Sequence, residues 1–256
     1  MSAGIALVRR RIALEQKAFW RNREAAFFAV LLPIALLLIL AQLDQHNHLS
    51  TSGQAYDQGL VPGVLSFGLI ATCYVNLAIT LTRLREEGVL KRLRATPLSP
   101  TSYLAGQIGS TLTATVVMTL TLVTTGALLY GARLGLAPAL AFVAAVALGT
   151  TCLCALAFAV TIAVHTFSAV APVTNASSLP LVLISSAFSP NQFYAHSWLH
   201  TAAGYLPVQA LAHALQAPYL TPGTPVSAKD FIVLAVWTIG AAAIARRRFR
   251  WTPSTT

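Results

Sequence analysis

The sequence predicts an all-α integral membrane protein with six transmembrane helices, and three observations support this fold class. Of its 256 residues, 56% are hydrophobic and only 9% are charged, which is the composition of a chain whose solvent is a lipid bilayer. It contains six apolar runs that approach or exceed the length needed to cross a hydrocarbon layer of about 30 Å. Its cations are gathered mainly in three clusters that six spans would place on one side of the membrane.

The first predicted element is an amphipathic helix at residues 1–24 that lies in the cytoplasmic interface. Apolar residues alternate there with cations at helical spacing, and Trp20 is its interfacial anchor between Lys17 and Arg21. The segment is too long and too charged to be the n-region of a cleaved signal peptide, so we expect the first span to be retained. The predicted spans cover about 25–43, 60–81, 104–129, 138–164, 169–188 and 231–245, of which the last is short.

The distribution of cations sets the predicted orientation. Six of the 17 Lys and Arg residues lie in 9–23, five in 83–94 and four in 246–250. The positive-inside rule therefore places both termini and the hinge between spans two and three in the cytoplasm. We expect the membrane to be the plasma (cell inner) membrane. The net charge of +10 is then a topology signal and an attraction to anionic membrane lipid, and it does not indicate a nucleic acid partner.

The segment between spans five and six differs from an ordinary loop. Residues 188–230 contain five prolines, which prevent a single crossing helix, and several aromatic residues of the kind found at membrane boundaries. We expect an extracytoplasmic re-entrant pair of short helices, near 193–203 and 207–217, that dips partway into the outer leaflet. His196 and His200 share a helix face there, but without a carboxylate between them we interpret them as boundary residues and predict no metal site.

The distribution of acidic residues bears on how the protein obtains energy. No aspartate or glutamate lies between Glu87 and Asp230, whereas ion-coupled carriers need an ionisable group inside the membrane. Backbone carbonyls could still bind sodium, so an ion-coupled carrier is kept as an alternative, and so is a membrane scaffold or assembly protein. The segment GQIGST at 106–111 lacks the lysine of a phosphate loop, and no catalytic motif is found. We therefore predict a non-catalytic protein that takes its energy from a partner.

The hinge after the second span, REEGVLKRLRATPLSPTSYLAGQ at 85–107, concentrates charge in a chain that has little of it. It can form a short amphipathic helix at about 85–96 that ends before Pro97, since the residue preceding a proline is disfavoured in the helical conformation. On the charges alone, a solvated cytoplasmic loop explains the segment equally well.

This hinge resembles the coupling-helix signature of the type-2 family of ABC transporter permeases, particularly the membrane subunits of drug and antibiotic exporters. The family pattern is E-x-G-T-L-K-R-L-R-x-T-P-L-S-P-x-x-Y-L-x-G-K, and it joins spans two and three. Val89 stands where threonine is usual, and Gln107 where lysine is usual. Among the matching residues are Gly88, Leu90, Lys91, Arg92, Leu93, Arg94, Thr96, Pro97, Leu98, Ser99, Pro100, Tyr103, Leu104 and Gly106.

The resemblance implies a permease subunit of an ATP-driven exporter for a hydrophobic or amphipathic small molecule. A separate ABC ATP-binding subunit, which binds the ATP and Mg, would dock on the hinge, and two permeases (two copies or one with a sister chain) would pair as a dimer. This chain itself would bind no cofactor. The ATPase-coupling residues that the resemblance implies are Val89, Leu90 and Leu93 for the buried contact and Glu86, Glu87 and Arg92 for the polar contact, together with Gly88 and Pro97.

Polar residues within the spans are candidates for a translocation path. Thr111, Thr115 and Thr119 recur at four-residue spacing on one face of the third span, and Asn175 lies in the fifth span. These side chains could line a path at the interface of paired permeases. Small hydroxyl side chains also let helices pack closely, and packing is the interpretation that we favour for the threonines.

Overall fold

The computed structural model of the chain describes the following residues, to which all structural statements refer: Lys17 and 31–42, 53–88, 100–131, 134–164, 166–185, 202–220 and 227–248. Over these ranges the fold is helical throughout, with no strand. We number the helices α1 (Leu31–Gln42), α2 (Gly53–Leu69, Ile70–Asn76 and Leu77–Glu86, in unbroken succession), α3 (Pro100–Leu129), α4 (Leu136–Ala163), α5 (Phe167–Ile184), α6 (Pro207–Leu220) and α7 (Ala228–Arg248).

Five of the described helices are long and apolar enough to cross a membrane. These segments are Gly59–Glu86, Gly106–Leu129, Pro138–Ala163, Phe167–Ile184 and Ala228–Ala245. Helix α1 is also apolar, but its described part is shorter than a bilayer crossing. The prediction of an all-helical, multi-pass membrane protein is confirmed, and the full set of six spans stays a prediction. The second span is longer than the predicted 60–81, because α2 continues to Glu86.

Helix α2 occupies the centre of the bundle and contacts α3, α4, α5 and α6. Its middle segment, Ile70–Asn76, is a π-helix between two α-helical segments. Such widened turns are uncommon, and they occur frequently at functional sites. The segment after this turn packs on α4 and α5, whereas the segment before it packs on α3 and α6. Helix α7 packs on α4 and also contacts α6.

The interior and much of the exterior of the bundle are both apolar. Leu69 of α2, Leu122 of α3 and Leu211 of α6 are fully buried. On the outside, Leu140 of α4 is 79% exposed and Leu183 of α5 is 75% exposed. In water such large exposed apolar faces would promote aggregation, but in a bilayer they are covered by lipid chains.

Two glycines set how closely neighbouring helices approach. A Cβ atom at Gly149 of α4 would lie 2.3 Å from Cδ1 of Leu211 in α6, and a Cβ at Gly126 of α3 would lie 2.4 Å from Cγ2 of Val61 in α2. Real atoms do not approach so closely, so neither position has room for a side chain without a shift of its neighbour. Small residues of this kind allow membrane helices to pack backbone against backbone.

Helix α6 coincides with the second of the two predicted re-entrant helices. A turn in which Leu206 N–H donates to the Ala203 carbonyl (2.8 Å) leads into it, and Pro207 occupies the first helical position, which suits its fixed φ and missing N–H. The helix is buried among α2, α4 and α7. Its predicted position in the outer leaflet stays a prediction. Most of the first predicted re-entrant helix, near 193–203, lies outside the described residues.

Candidate functional site

The site begins where α2 ends and the hinge starts. Glu87 N–H donates to the Arg83 carbonyl (2.9 Å) and Gly88 N–H to the Arg85 carbonyl (3.2 Å), which closes the last turn of the helix. Gly88 then has a φ of +65°, a left-handed conformation that glycine adopts without strain just beyond a helix C-terminus. Arg85 and Glu86 therefore belong to α2, whereas the sequence analysis placed them at the start of the coupling helix.

Arg85 reaches from the end of α2 to the end of α4. Its side chain is buried, with the residue only 9% exposed, and Nη1 donates to the Thr161 carbonyl at 2.7 Å while Nη2 donates to the Val164 carbonyl at 2.5 Å. The last carbonyls of a helix have no partners within the helix and carry the negative end of its dipole. The Arg85 guanidinium donates to two of these carbonyls and places positive charge beside them. Arg85 therefore acts as a cap for the C-terminus of α4.

Glu86, the next residue, binds the helix that follows α4. Its Oε2 accepts a 2.8 Å hydrogen bond from the backbone N–H of Phe167, the first residue of α5. Within the described part of the chain, Thr166 at the N-cap position makes no capping bond with its own side chain. Glu86 supplies that missing acceptor and places negative charge at the positive end of the α5 dipole. We call Arg85 and Glu86 together the helix-end clamp.

The helix-end clamp joins three helices at one point. Residues 164 and 166, which follow α4 and precede α5, are extended. Consecutive side chains of opposite charge hold the end of α4 and the start of α5, each beside the helix dipole end of the opposite sign. The sequence analysis named Glu86 only as a residue that contacts a partner protein. The adjacency of Arg and Glu just before a helix-ending glycine is the signal that could have indicated capping.

Glu87 makes a different kind of contact. Its Oε1 accepts a 2.7 Å bond from Nε of Arg83, one turn back on α2, with the two side chains 49% and 64% exposed. Water and salt screen an exposed pair of this type, so it adds little to stability and Glu87 can exchange partners at little cost. The ATPase-docking roles of Glu86, Glu87 and Gly88 stay predictions. The other predicted coupling residues lie outside the described residues: Val89, Leu90, Arg92, Leu93 and Pro97.

The predicted interfacial helix is described at one position only. Lys17 is helical and exposed, and Trp20 and Arg21 lie outside the described residues.

The three threonines of the predicted path face the inside of the chain. Thr111 donates to the Gln107 carbonyl (3.1 Å), and Oγ1 of Thr115, a residue only 2% exposed, lies 3.2 Å from the Sγ atom of Cys73 in α2. Oγ1 of Thr119 is buried with no hydrogen-bond partner among the described residues. This face of α3 packs against α2, which is the arrangement that the packing interpretation requires. The path role of these residues stays a prediction.

Asn175 has the opposite location. Its side chain is exposed on α5, at the outer surface of the bundle described for one chain. A buried amide needs a hydrogen-bond partner, and hydrocarbon offers none. Contact with another protein chain or a polar molecule at this position would supply hydrogen bonds to the Asn175 amide and remove the energetic cost of leaving it unpaired in hydrocarbon.

Two further polar contacts were missed by the sequence analysis. Oη of Tyr74, in the π segment of α2, lies 2.8 Å from Oγ of Ser177 in α5, which fastens the middles of two helices distant in sequence. Nδ1 of His213 in α6 lies 2.7 Å from Oδ2 of Asp230 in the first turn of α7. Asp230 is the one acidic residue that follows Glu87 in the sequence, and its place at the start of an apolar helix was the available signal.

The His213–Asp230 contact changes the titration of the histidine. The hydrogen bond to Asp230 raises the pKa of His213 above its ordinary value, against the opposing effects of partial burial and of the charge on Lys229. Nearby, Trp237 Nε1 donates to the Tyr205 carbonyl (2.9 Å), and Nζ of Lys229 lies 4.6 Å from the centre of the Tyr205 ring. Together these contacts tie α7 to α6 and to the turn that precedes it.

Cofactor and metal sites were also sought. Among the described residues, no group of three or more His, Cys, Asp or Glu side chains is placed to hold a metal ion. Cys73, Cys152 and Cys154 are buried and have free thiols.

Comparison with known proteins accords with the hinge and the helical bundle. The family model described as ABC-2 type transporter matches residues 5–220, which include the hinge, the helix-end clamp and α6. Among curated proteins, none matches this chain. Because the family match spans most of the sequence and the structure is a bundle of apolar helices, the chain belongs to the ABC-2 type transporters, as a multi-pass permease component of an ABC transporter.

Proposed function

We propose that the chain is the permease subunit of an ATP-driven exporter, coupled through its hinge to a separate ATP-binding subunit that binds the ATP and Mg. The observation that carries the proposal is the helix-end clamp. The hinge leaves α2 directly after Arg85 and Glu86, and these two residues hold the ends of α4 and α5. A displacement of the hinge by a docked ATPase is therefore passed to three helices and not to α2 alone.

The strength of the clamp supports this role. Hydrogen bonds that involve a charged group each contribute about 1.5–3 kcal/mol when they are shielded from water. Arg85 makes two such bonds in a buried position, so it moves together with the end of α4. Glu86 is exposed, so its bond to Phe167 N–H is weaker and is the one that can be exchanged during a cycle. Alternation between two arrangements requires that ATP binding favours one of them.

Pairing of two permeases and an amphipathic substrate complete the proposal. Asn175 places an amide on the outer surface of α5, where a second copy or a sister permease would supply its hydrogen bonds. Charged side chains of the described spans lie near the helix ends, as Arg83, Arg85, Lys229 and Asp230 do. Walls without charge suit a hydrophobic or amphipathic molecule. The proposed orientation places both termini and the hinge on the cytoplasmic side of the plasma membrane.

Reconstitution tests the proposal. The chain is placed in liposomes with and without its ATP-binding subunit, and efflux of an amphipathic fluorescent dye is followed with ATP, with a non-hydrolysable ATP analogue and with an ion gradient. We expect dye transport only with the partner and ATP. Uphill transport driven by an ion gradient without the partner would identify an ion-coupled carrier. Binding of the partner without transport of any amphipathic dye would identify a scaffold.

A further inference from the structure

A cavity of about 570 Å³ lies within this single chain, between α2, α4, α5, α6 and α7. Its walls include Tyr74 of the π segment, Leu156 of α4, Ser177 of α5 and Trp237 and Gly240 of α7. This volume falls in the range of sites that hold one small molecule, and such sites are typically apolar with a few polar groups that orient the ligand.

The cavity excludes charged ligands. Among the described residues that line it, none carries a charge, and nearly all are aliphatic or aromatic. An ion moved from water into such surroundings without a counter-charge loses several kcal/mol of hydration that nothing replaces. A phosphate, carboxylate or ammonium group therefore cannot occupy the interior, and the occupant must be neutral there.

The hydroxyl pair in the wall defines what the ligand must offer. Ser177 Oγ donates to the Thr174 carbonyl (2.9 Å), so its single hydrogen is in use. Either hydroxyl of the Tyr74 Oη–Ser177 Oγ contact (2.8 Å) can donate, and the arrangement that engages both hydrogens has Tyr74 as donor to the serine oxygen. Both hydrogens are engaged, and the unused hydrogen-bonding capacity of the pair consists of oxygen lone pairs. A matching ligand presents a hydroxyl or an N–H donor.

The cavity reaches the surface of the bundle at α7. Gly240 lines the cavity and is exposed, and a Cβ atom built there meets no atom of the described residues within 4 Å. The neighbouring Ile239 is 69% exposed on the apolar outer face of the same helix. In a membrane this face is covered by lipid, so a molecule dissolved in the bilayer has direct access to the opening at Gly240.

We propose that this cavity is a binding site for a neutral amphiphile that carries a hydroxyl or N–H donor, entering from the bilayer beside Gly240 and donating to the Tyr74–Ser177 pair. The site is complete within one chain and needs neither a second permease nor an ATPase. It therefore goes beyond the proposed function. The same chemistry could come from a membrane lipid or from a transported substrate.

Quenching of Trp237 fluorescence measures occupancy. The full chain is purified in nanodiscs as a variant in which Trp20, Trp198 and Trp251 are replaced by phenylalanine, so that Trp237 is the remaining tryptophan. The probes are a bromine-labelled long-chain alcohol and its methyl ether, which has the same shape but no donor. We expect saturable quenching by both, with the alcohol bound about fivefold more tightly through its hydrogen bond.

Two variants of the cavity wall and one matched control separate the site from the bilayer. Gly240→Leu fills the opening and should abolish saturable quenching by both probes. Ala243→Leu adds the same bulk at an exposed position of α7 that does not line the cavity, and it should leave both unchanged. The double change Tyr74→Phe with Ser177→Ala should reduce the affinity of the alcohol to that of the ether.

Each outcome decides the proposal. Quenching that rises linearly with probe and is the same in all variants shows only partition into the bilayer, and the site is then wrong. Equal affinities of alcohol and ether in the unmodified wall refute the donor requirement, even if Gly240→Leu does not fold.

Two further experiments identify the source of the ligand. A neutral lipid co-purified with the parent chain and lost in Gly240→Leu indicates a lipid site, whereas ATP-dependent movement of the alcohol across the membrane indicates a substrate site. Because quenching is measured without the ATPase, the test of the binding site does not depend on whether the chain transports the alcohol.

Discussion

Replacing Arg85 by methionine keeps the length and the apolar stem of the side chain but removes the guanidinium. The Thr161 and Val164 carbonyls at the end of α4 then lose their donors, at 2.7 and 2.5 Å. Two bonds from a charged donor, each about 1.5–3 kcal/mol, overlap with the helix-dipole contribution, so the expected loss is about 3–4 kcal/mol. For a chain of this size that lowers Tm by roughly 10 °C. Thermal unfolding in nanodiscs, followed by circular dichroism, measures it.

The chain offers a matched control two residues away. Arg83 lies in the same turn of α2, but its side chain is 64% exposed and pairs with Glu87. Arg83→Met should therefore lower Tm far less than Arg85→Met does. Arg85→Lys should fall between the two, since an ammonium cannot reproduce the paired geometry of a guanidinium. Equal Tm values for the Arg83 and Arg85 variants would show that capping of α4 does not determine the stability of this region.

Three further predictions concern other parts of the molecule. Gly88→Ala should cost about 1 kcal/mol in thermal unfolding, because its φ of +65° is unfavourable for a side chain, and Gly88→Asn should cost less. Since the pKa of His213 is raised, its bond to Asp230 stabilises the fold fully below the ordinary pKa of 6.5 and less as pH rises through the raised pKa. His213→Gln should therefore lower Tm at pH 6, and by a smaller amount at high pH. A loss of Tm that is independent of pH would contradict this. Gly149→Ala should cost about 1–3 kcal/mol by pressing on Leu211, and a double-mutant cycle with Leu211→Ala should show partial rescue; strictly additive losses of Tm would mean that the two residues do not compete for space.

Much of the fold could be predicted because the hydrophobic runs are long and the charges lie at their ends. The error at the end of the second span has a physical cause. Arg83, Arg85 and Glu86 lower the local hydropathy, so a reading based on apolar runs stops at residue 81, whereas the helix continues until Gly88 ends it. The charged turn belongs to the helix because its side chains find partners on α4 and α5, which no local pattern reveals.

The contacts of the candidate site were harder to predict because they join residues distant in sequence. The bonds from Tyr74 to Ser177 and from Glu86 to Phe167 depend on how the helices are arranged around α2. The family resemblance identified the hinge that follows α2 as a functional segment. It indicated contacts with a partner for Glu86, and the structure places that side chain at the N-terminus of α5.

The π segment of α2 has a consequence for the orientation of the residues that follow it. A residue of a π-helix turns the chain by less than the roughly 100° of an α-helical residue, so an α-helix formed by the same seven residues, Ile70–Asn76, would rotate every later side chain of α2 about the helix axis. Arg85 and Glu86 would then point away from the ends of α4 and α5. The widened turn in the middle of α2 therefore sets the direction in which the charged end of this helix faces.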